Sequence, residues 1–218
     1  SEIDHAILPM VIHMQQMGMP FDKVALEALR QEMDDELLDD RLSFEETYNS
    51  GNYFNPGSGD QCADLLFDRI GLVSLRRTKS RSRLATDEKA LEALRGEHPA
   101  VNAILDWREK AKIRDSFAKQ LQRYIDPDGR VRGNIRATRT VTGRLSMTDP
   151  NLMAIPVRSK LGKRVRSCSK APEGYRMGTC DLNQVEMRIM ASHSGDEGLI
   201  RLFRERRDVH RQTASDIF

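Results

Sequence analysis

Apolar residues along this chain fall mostly at helical spacing. Ile3, Ile7, Met10, Val11, Met14 and Met17 recur every three or four positions and stop at Gly18, which predicts a first helix. Pro9 lies inside that stretch, so the helix either kinks there or starts later. The five methionines between Met10 and Met33 read as adaptable core filling. From Asp22, a good N-cap, the residues Leu26, Leu29, Met33, Leu37, Phe44 and Tyr48 trace one stripe. The acids lie mostly off it, which predicts a long amphipathic helix over 22–48, ending at Asn49-Ser50-Gly51. Phe54-Asn55-Pro56-Gly57-Ser58-Gly59 is a loop by composition, and a short helix with Leu65, Leu66 and Ile70 runs on to Gly71. Another short helix, capped near Thr86, carries Ala90, Leu91 and Leu94. Pro99 suits the first turn of the next helix. Its stripe is Val101, Ile104, Leu105, Arg108, Ile113, Phe117, Leu121, Tyr124 and Ile125. Unbroken, that helix would be about 40 Å long. It pairs with 22–48 as an antiparallel, arm-like hairpin.

The texture changes after Gly129. Val131, Gly133, Ile135, Ala137 and Val141 alternate with Arg130, Arg132, Asn134 and Arg136, a strand-like pattern with a basic face. Residues 142–172 read as irregular, being rich in Pro, Gly and Arg. Tyr175 to Asp181 reads as a strand. Val185, Ile189 and Met190 mark a helix closed near Gly195, Leu199, Leu202 and Phe203 mark another, and Asp208 caps a last one.

The 218 residues suffice for one large domain or two small ones. No apolar run approaches the ~20 residues of a membrane span. The opening Ser1-Glu2-Ile3-Asp4 lacks the basic and apolar regions of a signal peptide, so an intracellular location is expected. The cysteines Cys62, Cys168 and Cys180 have no metal-ligand spacing and read as buried or free thiols. Net charge is only +2, but residues 1–60 hold thirteen acids against three bases, and residues 110–170 hold sixteen bases against four acids. A polyanion would be repelled by the first part and drawn to the second, unless both are merely solvated faces. Arg76-Arg77-Thr78-Lys79-Ser80-Arg81-Ser82-Arg83 has five cations and no apolar member, so it belongs on the surface.

Asp181 stands at the end of the expected strand, before a helix that begins near Glu186. By itself such an aspartate is either an N-cap or a ligand for a hard cation such as Mg²⁺. The pair Asp181 and Glu186 also admits a two-carboxylate hydrolase. The longer sequence resembles the family A DNA polymerases, the bacterial DNA polymerase I type. That family writes Asp-Tyr-Ser-Gln-Ile-Glu-Leu-Arg and then Ala-His-x-Ser-Gly-Asp. Here Asp181, Gln184, Glu186 and Arg188 match, as do Ser194, Gly195 and Asp196, while Ser192 stands at the histidine position. Asp208-Val209-His210-Arg211-Gln212-Thr213-Ala214 mirrors its Asp-Ile-His-Thr-x-Thr-Ala. Thr142-Gly143-Arg144-Leu145-Ser146, Asp149-Pro150-Asn151-Leu152 and Ile155-Pro156-Val157-Arg158 match in order upstream.

The resemblance implies an α+β, predominantly helical fold, a helical thumb arm on a partial antiparallel palm sheet. It implies a palm-base helix over 1–20, a thumb over 21–129, palm with the first metal motif over 130–195, and helices leading toward the fingers over 196–218. The implied reaction is template-directed addition of deoxynucleotides to a primer 3′-hydroxyl by two Mg²⁺ ions. Asp181 and the backbone carbonyl of Leu182 would bind metal. Gln184, Glu186 and His210 would face the incoming nucleoside triphosphate, with Glu186 as the gate against a ribose 2′-hydroxyl. Arg144 would reach the minor groove, and Asn151, Lys112, Arg114, Arg76, Arg77, Lys79, Arg81 and Arg83 would hold primer-template DNA. Arg188 reads as one member of an internal salt bridge. Leu182-Asn183 and Met153-Ala154 depart from the family's Tyr-Ser and Gln-Asn. No His-Asp-Glu, the family's second carboxylate motif, occurs in the sequence. The expectation is therefore a chain inactive alone, completed by a second chain or a C-terminal region with fingers and the rest of the palm. The rivals are a non-catalytic DNA-binding or assembly module derived from a polymerase, and a stand-alone nuclease.

Overall fold

The computed structural model describes residues 2–48, 53–73 and 84–217. It forms two compact units, residues 1–175 and 176–218. Helix α1 (Glu2–Met17) runs through Pro9 without a break. It ends at Gly18, which has φ +60° and sits so close to Val131 that a β-carbon would lie 2.9 Å from its carbonyl oxygen. Only glycine fits there. Strand β1 (Met19–Pro20) follows, then α2 (Lys23–Tyr48), whose first turn is capped by Asp22 Oδ1 accepting from the Ala25 amide at 2.9 Å.

Leu26, Leu29, Met33, Leu37 and Phe44 are buried along α2, as the stripe predicts. Of the methionines expected in the core, only Met33 is fully buried; Met10, Met14 and Met17 are exposed on α1 and Met19 is half-buried. Their spacing marked one face of a helix, but on α1 only Val11 of the described residues is buried.

Helix α3 (Gly59–Ala63), capped by Ser58, leads into a π turn over Asp64–Arg69. Helix α4 (Glu88–Glu92) is capped by Asp87, next to Thr86 as expected, and the Thr86 hydroxyl donates to the Gly59 carbonyl at 3.1 Å. Helix α5 (Pro99–Ile113) starts at His98, with Pro99 in its first turn. It does not continue unbroken to 125. A π turn over Arg114–Lys119 and a 3-10 turn over Gln122–Tyr124 complete the path.

Helices α2 and α5 are antiparallel. Trp107 Nε1 donates to the Leu37 carbonyl at 3.1 Å, Lys110 meets Glu36 and Asp40 at 3.1 and 2.7 Å, and Arg114 meets Asp34. Two apolar clusters lie along this hairpin. One gathers Phe21, Leu26, Leu29, Met33, Ile113 and Leu121 with Val131 and Val165; the other gathers Phe44, Phe54, Leu66, Leu91, Val101 and Ile104. Arg108 ties the second cluster to its loops, donating to the Pro56 carbonyl at 2.7 Å and to the Thr86 carbonyl.

Strand β2 (Arg130–Val131) pairs antiparallel with β1, Met19 opposite Val131. Strand β3 (Asn134–Arg136) pairs antiparallel with β4 (Ser146–Thr148), Ile135 opposite Met147. Ile135 is buried between exposed Asn134 and Arg136, as the alternation predicts, but the pattern does not extend to Val141, which is fully exposed outside any strand. The stretch 142–172 is more regular than its composition suggests. A 3-10 turn spans Leu152–Ala154, and α6 (Lys160–Ser167) is capped by Ser159 and buries Gly162 and Val165.

Residues 175–181 do not form the expected strand, because among the described residues nothing forms a β-ladder with them. Helices α7 (Val185–Ser194), α8 (Glu197–Arg204) and α9 (Val209–Ile217) follow. Gly195 ends α7 in the left-handed region, Asp196 caps α8, and Asp208 Oδ1 accepts from the Arg211 amide at 3.1 Å. The fold is α+β and mostly helical, with two small antiparallel sheets. Among the described residues no helix is long and apolar enough to cross a membrane.

Candidate functional site

In the first unit, a cleft of about 590 Å³ opens between the α5 end of the hairpin and the segment leading to α6. Lys112, Ser116, Phe117 and Gln120 line one wall, Asn151 and Pro156 the other. The structure thus brings together Lys112 and Asn151, two residues that sequence reasoning named separately. It missed Ser116 and Gln120, which follow Lys112 at four-residue spacing on the same helical face; that spacing was the signal. Lys112 is exposed and meets no acid among the described residues. Glu88 and Glu109 also border the cleft, so its wall is mixed in charge.

Arg114 is placed differently. Its guanidinium bridges to Asp34 across the hairpin and to Asp115 at 2.9 Å. Burial pulls its pKa down, but the two carboxylates outweigh it and hold the group above its ordinary value. Arg144 is exposed in the connection between β3 and β4, where the Thr140 hydroxyl donates to its carbonyl at 2.5 Å. Arg76, Arg77, Lys79, Arg81 and Arg83 lie outside the described residues.

In the second unit, Asp181 is exposed and does not cap α7. Gln184 holds the cap position, in the left-handed region at φ 53° and ψ 37° and without a side-chain cap bond. Such a conformation is uncommon for a residue with a β-carbon. Leu182 is 68% exposed, and Glu186 is exposed in the first turn of α7, where the helix dipole favours a carboxylate. His210 lies in α9; its side chain is outside the described set. Arg188 is held internally, though not by a salt bridge. Its Nε donates to the Asn183 carbonyl at 2.9 Å and its guanidinium lies 4.6 Å from the Phe203 ring centre. Cys62 and Cys168 are buried free thiols and Cys180 is an exposed one.

Among the described residues no three His, Cys, Asp or Glu side chains converge as a metal site. Asp181 and the Leu182 carbonyl are oxygen donors of the kind Mg²⁺ prefers, but two donors do not displace enough of its water to hold it. The described residues therefore do not form a magnesium site by themselves.

Residues 23–218 match the sequence model of DNA polymerase family A. The thermostable DNA polymerase I of Thermus filiformis is 41% identical over all of this chain, which spans 26% of that protein. DNA polymerase I of Pseudomonas aeruginosa is 30% identical, again over the whole chain and 24% of the relative. The chain thus spans about a quarter of the length of these relatives. Among solved structures, the POL domain of Pol1 from M. smegmatis, in complex with DNA primer-template and dNTP, is similar with a TM-score of 0.76 and 32% identity. That match covers 92% of this chain and 35% of the other. The chain belongs to DNA polymerase family A.

Proposed function

We propose that this chain supplies the duplex-gripping arm and the first catalytic carboxylate of a template-directed DNA polymerase. The observation that carries the reading is the likeness, over 92% of the chain, to a polymerase domain solved with primer-template and dNTP. In this reading residues 1–20 are a palm-base helix, 21–129 the thumb, 130–195 the first part of the palm and 196–218 helices leading toward the fingers. The cleft of Lys112 and Asn151 receives the phosphate backbone of the duplex, and Arg144 meets the minor-groove edge, where acceptors common to all base pairs report pair shape rather than sequence. Asp181 would be one of the carboxylates that hold Mg²⁺ in a completed site, where the ion would supply Lewis-acid chemistry toward the primer hydroxyl and the triphosphate. Glu186 crowds the sugar 2′ position, Gln184 lies beside the nucleotide and His210 approaches its phosphates.

A single carboxylate motif is too little for the chemistry, so the isolated chain binds primer-template without extending it. Fingers and the second carboxylate come from a further polypeptide or segment. Primer extension with Mg²⁺ and all four dNTPs tests this. The expected outcome is duplex binding with no extension by the chain alone, and extension once a polypeptide carrying the remaining motifs is added. Robust extension by the chain alone sinks the claim of incompleteness, and absence of duplex binding sinks the polymerase role itself.

A further inference from the structure

We infer that the outward face of α6 is a second contact surface for the phosphate backbone of duplex DNA, next to the cleft of Lys112 and Asn151. This rests on the reading of the chain as a DNA-handling part of a polymerase. Between Asp149 and Glu173 the sequence has six cations and no acid. Elsewhere in the first unit cations are commonly matched: Arg30 with Glu27 and Asp34, Arg95 with Glu92, Arg132 with Asp126 and Asp128; within the stretch, Lys170 meets Asp22. On α6 only Arg164 is matched in this way, meeting Glu32 at 2.9 Å and Glu36 at 2.8 Å on α2.

The helix is firmly seated. Val165 and Cys168 are buried in the first cluster, with Leu161 packed against them. Gly162 lies so close to the preceding segment that a β-carbon would stand 2.2 Å from the Pro156 carbonyl oxygen. Arg166 donates to the Ile155 carbonyl at 3.1 Å. With Leu161, Gly162, Val165 and Cys168 turned inward, 3.6-residue periodicity turns Lys160, Lys163 and Ser167 outward, with Arg166 at the edge. Lys160 and Lys163 are exposed, meet no acid among the described residues, and stand about 4.5 Å apart along the axis.

The chemistry of this face selects the ligand. It carries ammonium groups and a hydroxyl but no aromatic ring, so it cannot stack unpaired bases as single-strand binders do. Neither does it offer the amide or acid groups that pair with adenine or cytosine edges. What remains is sequence-independent neutralisation of phosphates by a fixed row of cations. Helix α6 follows Asn151 and Pro156 of the cleft wall in sequence and packs on that segment at Gly162, so the two surfaces are neighbours.

The test titrates the full chain with a primer-template duplex across salt, using Lys160→Ala/Lys163→Ala, Lys112→Ala and a charge-matched control, Lys23→Ala/Lys89→Ala. The α6 variant is expected to make the slope of log K against log salt shallower by about 2, uniformly across DNA sequences. The matched control should leave the slope nearly unchanged. The inference falls if the α6 variant keeps the wild-type slope while Lys112→Ala weakens binding. It also falls if the control changes the slope equally, or if the loss is confined to single-stranded oligonucleotides. Absence of any wild-type duplex binding would instead remove the polymerase reading on which it rests. Circular dichroism of each variant confirms that helix content is retained.

Discussion

Asp128 shows how a single residue can tie a turn to an earlier helix. Its carboxylate accepts from Arg132 at 2.5 Å and from the Arg130 amide at 3.2 Å, and Arg132 also donates to the Gln16 carbonyl at the end of α1. The Arg132 guanidinium, more than any other cause, lowers the Asp128 pKa to about 2. A carboxylate whose pKa is depressed in the folded state stabilises the fold above its unfolded value of about 3.9. That contribution is lost as pH falls through the folded value. The difference in Tm between wild type and Asp128→Asn should therefore be fullest above pH ~4 and close as pH approaches ~2. Thermal melts of both proteins across that window check it; a difference that stays constant with pH would mean the ion pair adds nothing to stability.

At the scale of elements, the ion pairs between helices decide which cations are available to a ligand. The family resemblance implied both Lys112 and Arg114 as DNA contacts, since the family places cations on this long helix. They are only two positions apart, however, and on a helix that separation puts them on different faces. Arg114 turns to α2 and Asp34, while Lys112 turns to the cleft. Arg114→Ala should lower unfolding free energy by about 1 kcal/mol, the scale of a partly exposed ion pair, and leave duplex affinity nearly unchanged. Lys112→Ala should do the reverse, sparing stability and making the salt slope shallower by about 1. Urea denaturation beside DNA titration separates them, and equal effects of the two substitutions on DNA binding would refute the division. Helices with long apolar stripes, such as α2 and α5, were legible in the sequence because burial writes a 3.6-residue period. Helix α6 was not, since Leu161 and Val165 are its only large apolar residues and its remaining positions are cations, a glycine and a serine. The strand expected at 175–181 failed for another reason: a strand is a property of a pair, and local alternation says nothing about a partner. Motif residues in the second unit were recognisable one by one, while the cleft joins Lys112 and Ser116 to Asn151, a position too far off in sequence for spacing to connect.

For the molecule as a whole, the opposed charges of its two halves have a use that neither steering nor solvation describes. Glu32, Asp34, Glu36 and Asp40 of α2 meet Lys110, Arg114 and Arg164, so part of the basic half binds the acidic half. The first unit therefore combines two apolar clusters with cross-helix ion pairs. In the second unit, only Ala191 and Val209 are buried among the described residues, and residues 176–183 have no helix or strand around Asp181. Local stability should follow this division, because amides open according to the apolar contacts and backbone hydrogen bonds that cover them. Hydrogen exchange read by mass spectrometry should find 176–183 fully exchanged at the earliest labelling time, with the buried stretch of α2 over 26–37 among the last to exchange. If the second carboxylate motif comes from another polypeptide, adding it should slow exchange at 176–183, because a paired strand covers those amides, and leave α2 unchanged. Slow exchange at 176–183 in the isolated chain would show that Asp181 is already held in place, and its dependence on a completing partner would have to be abandoned.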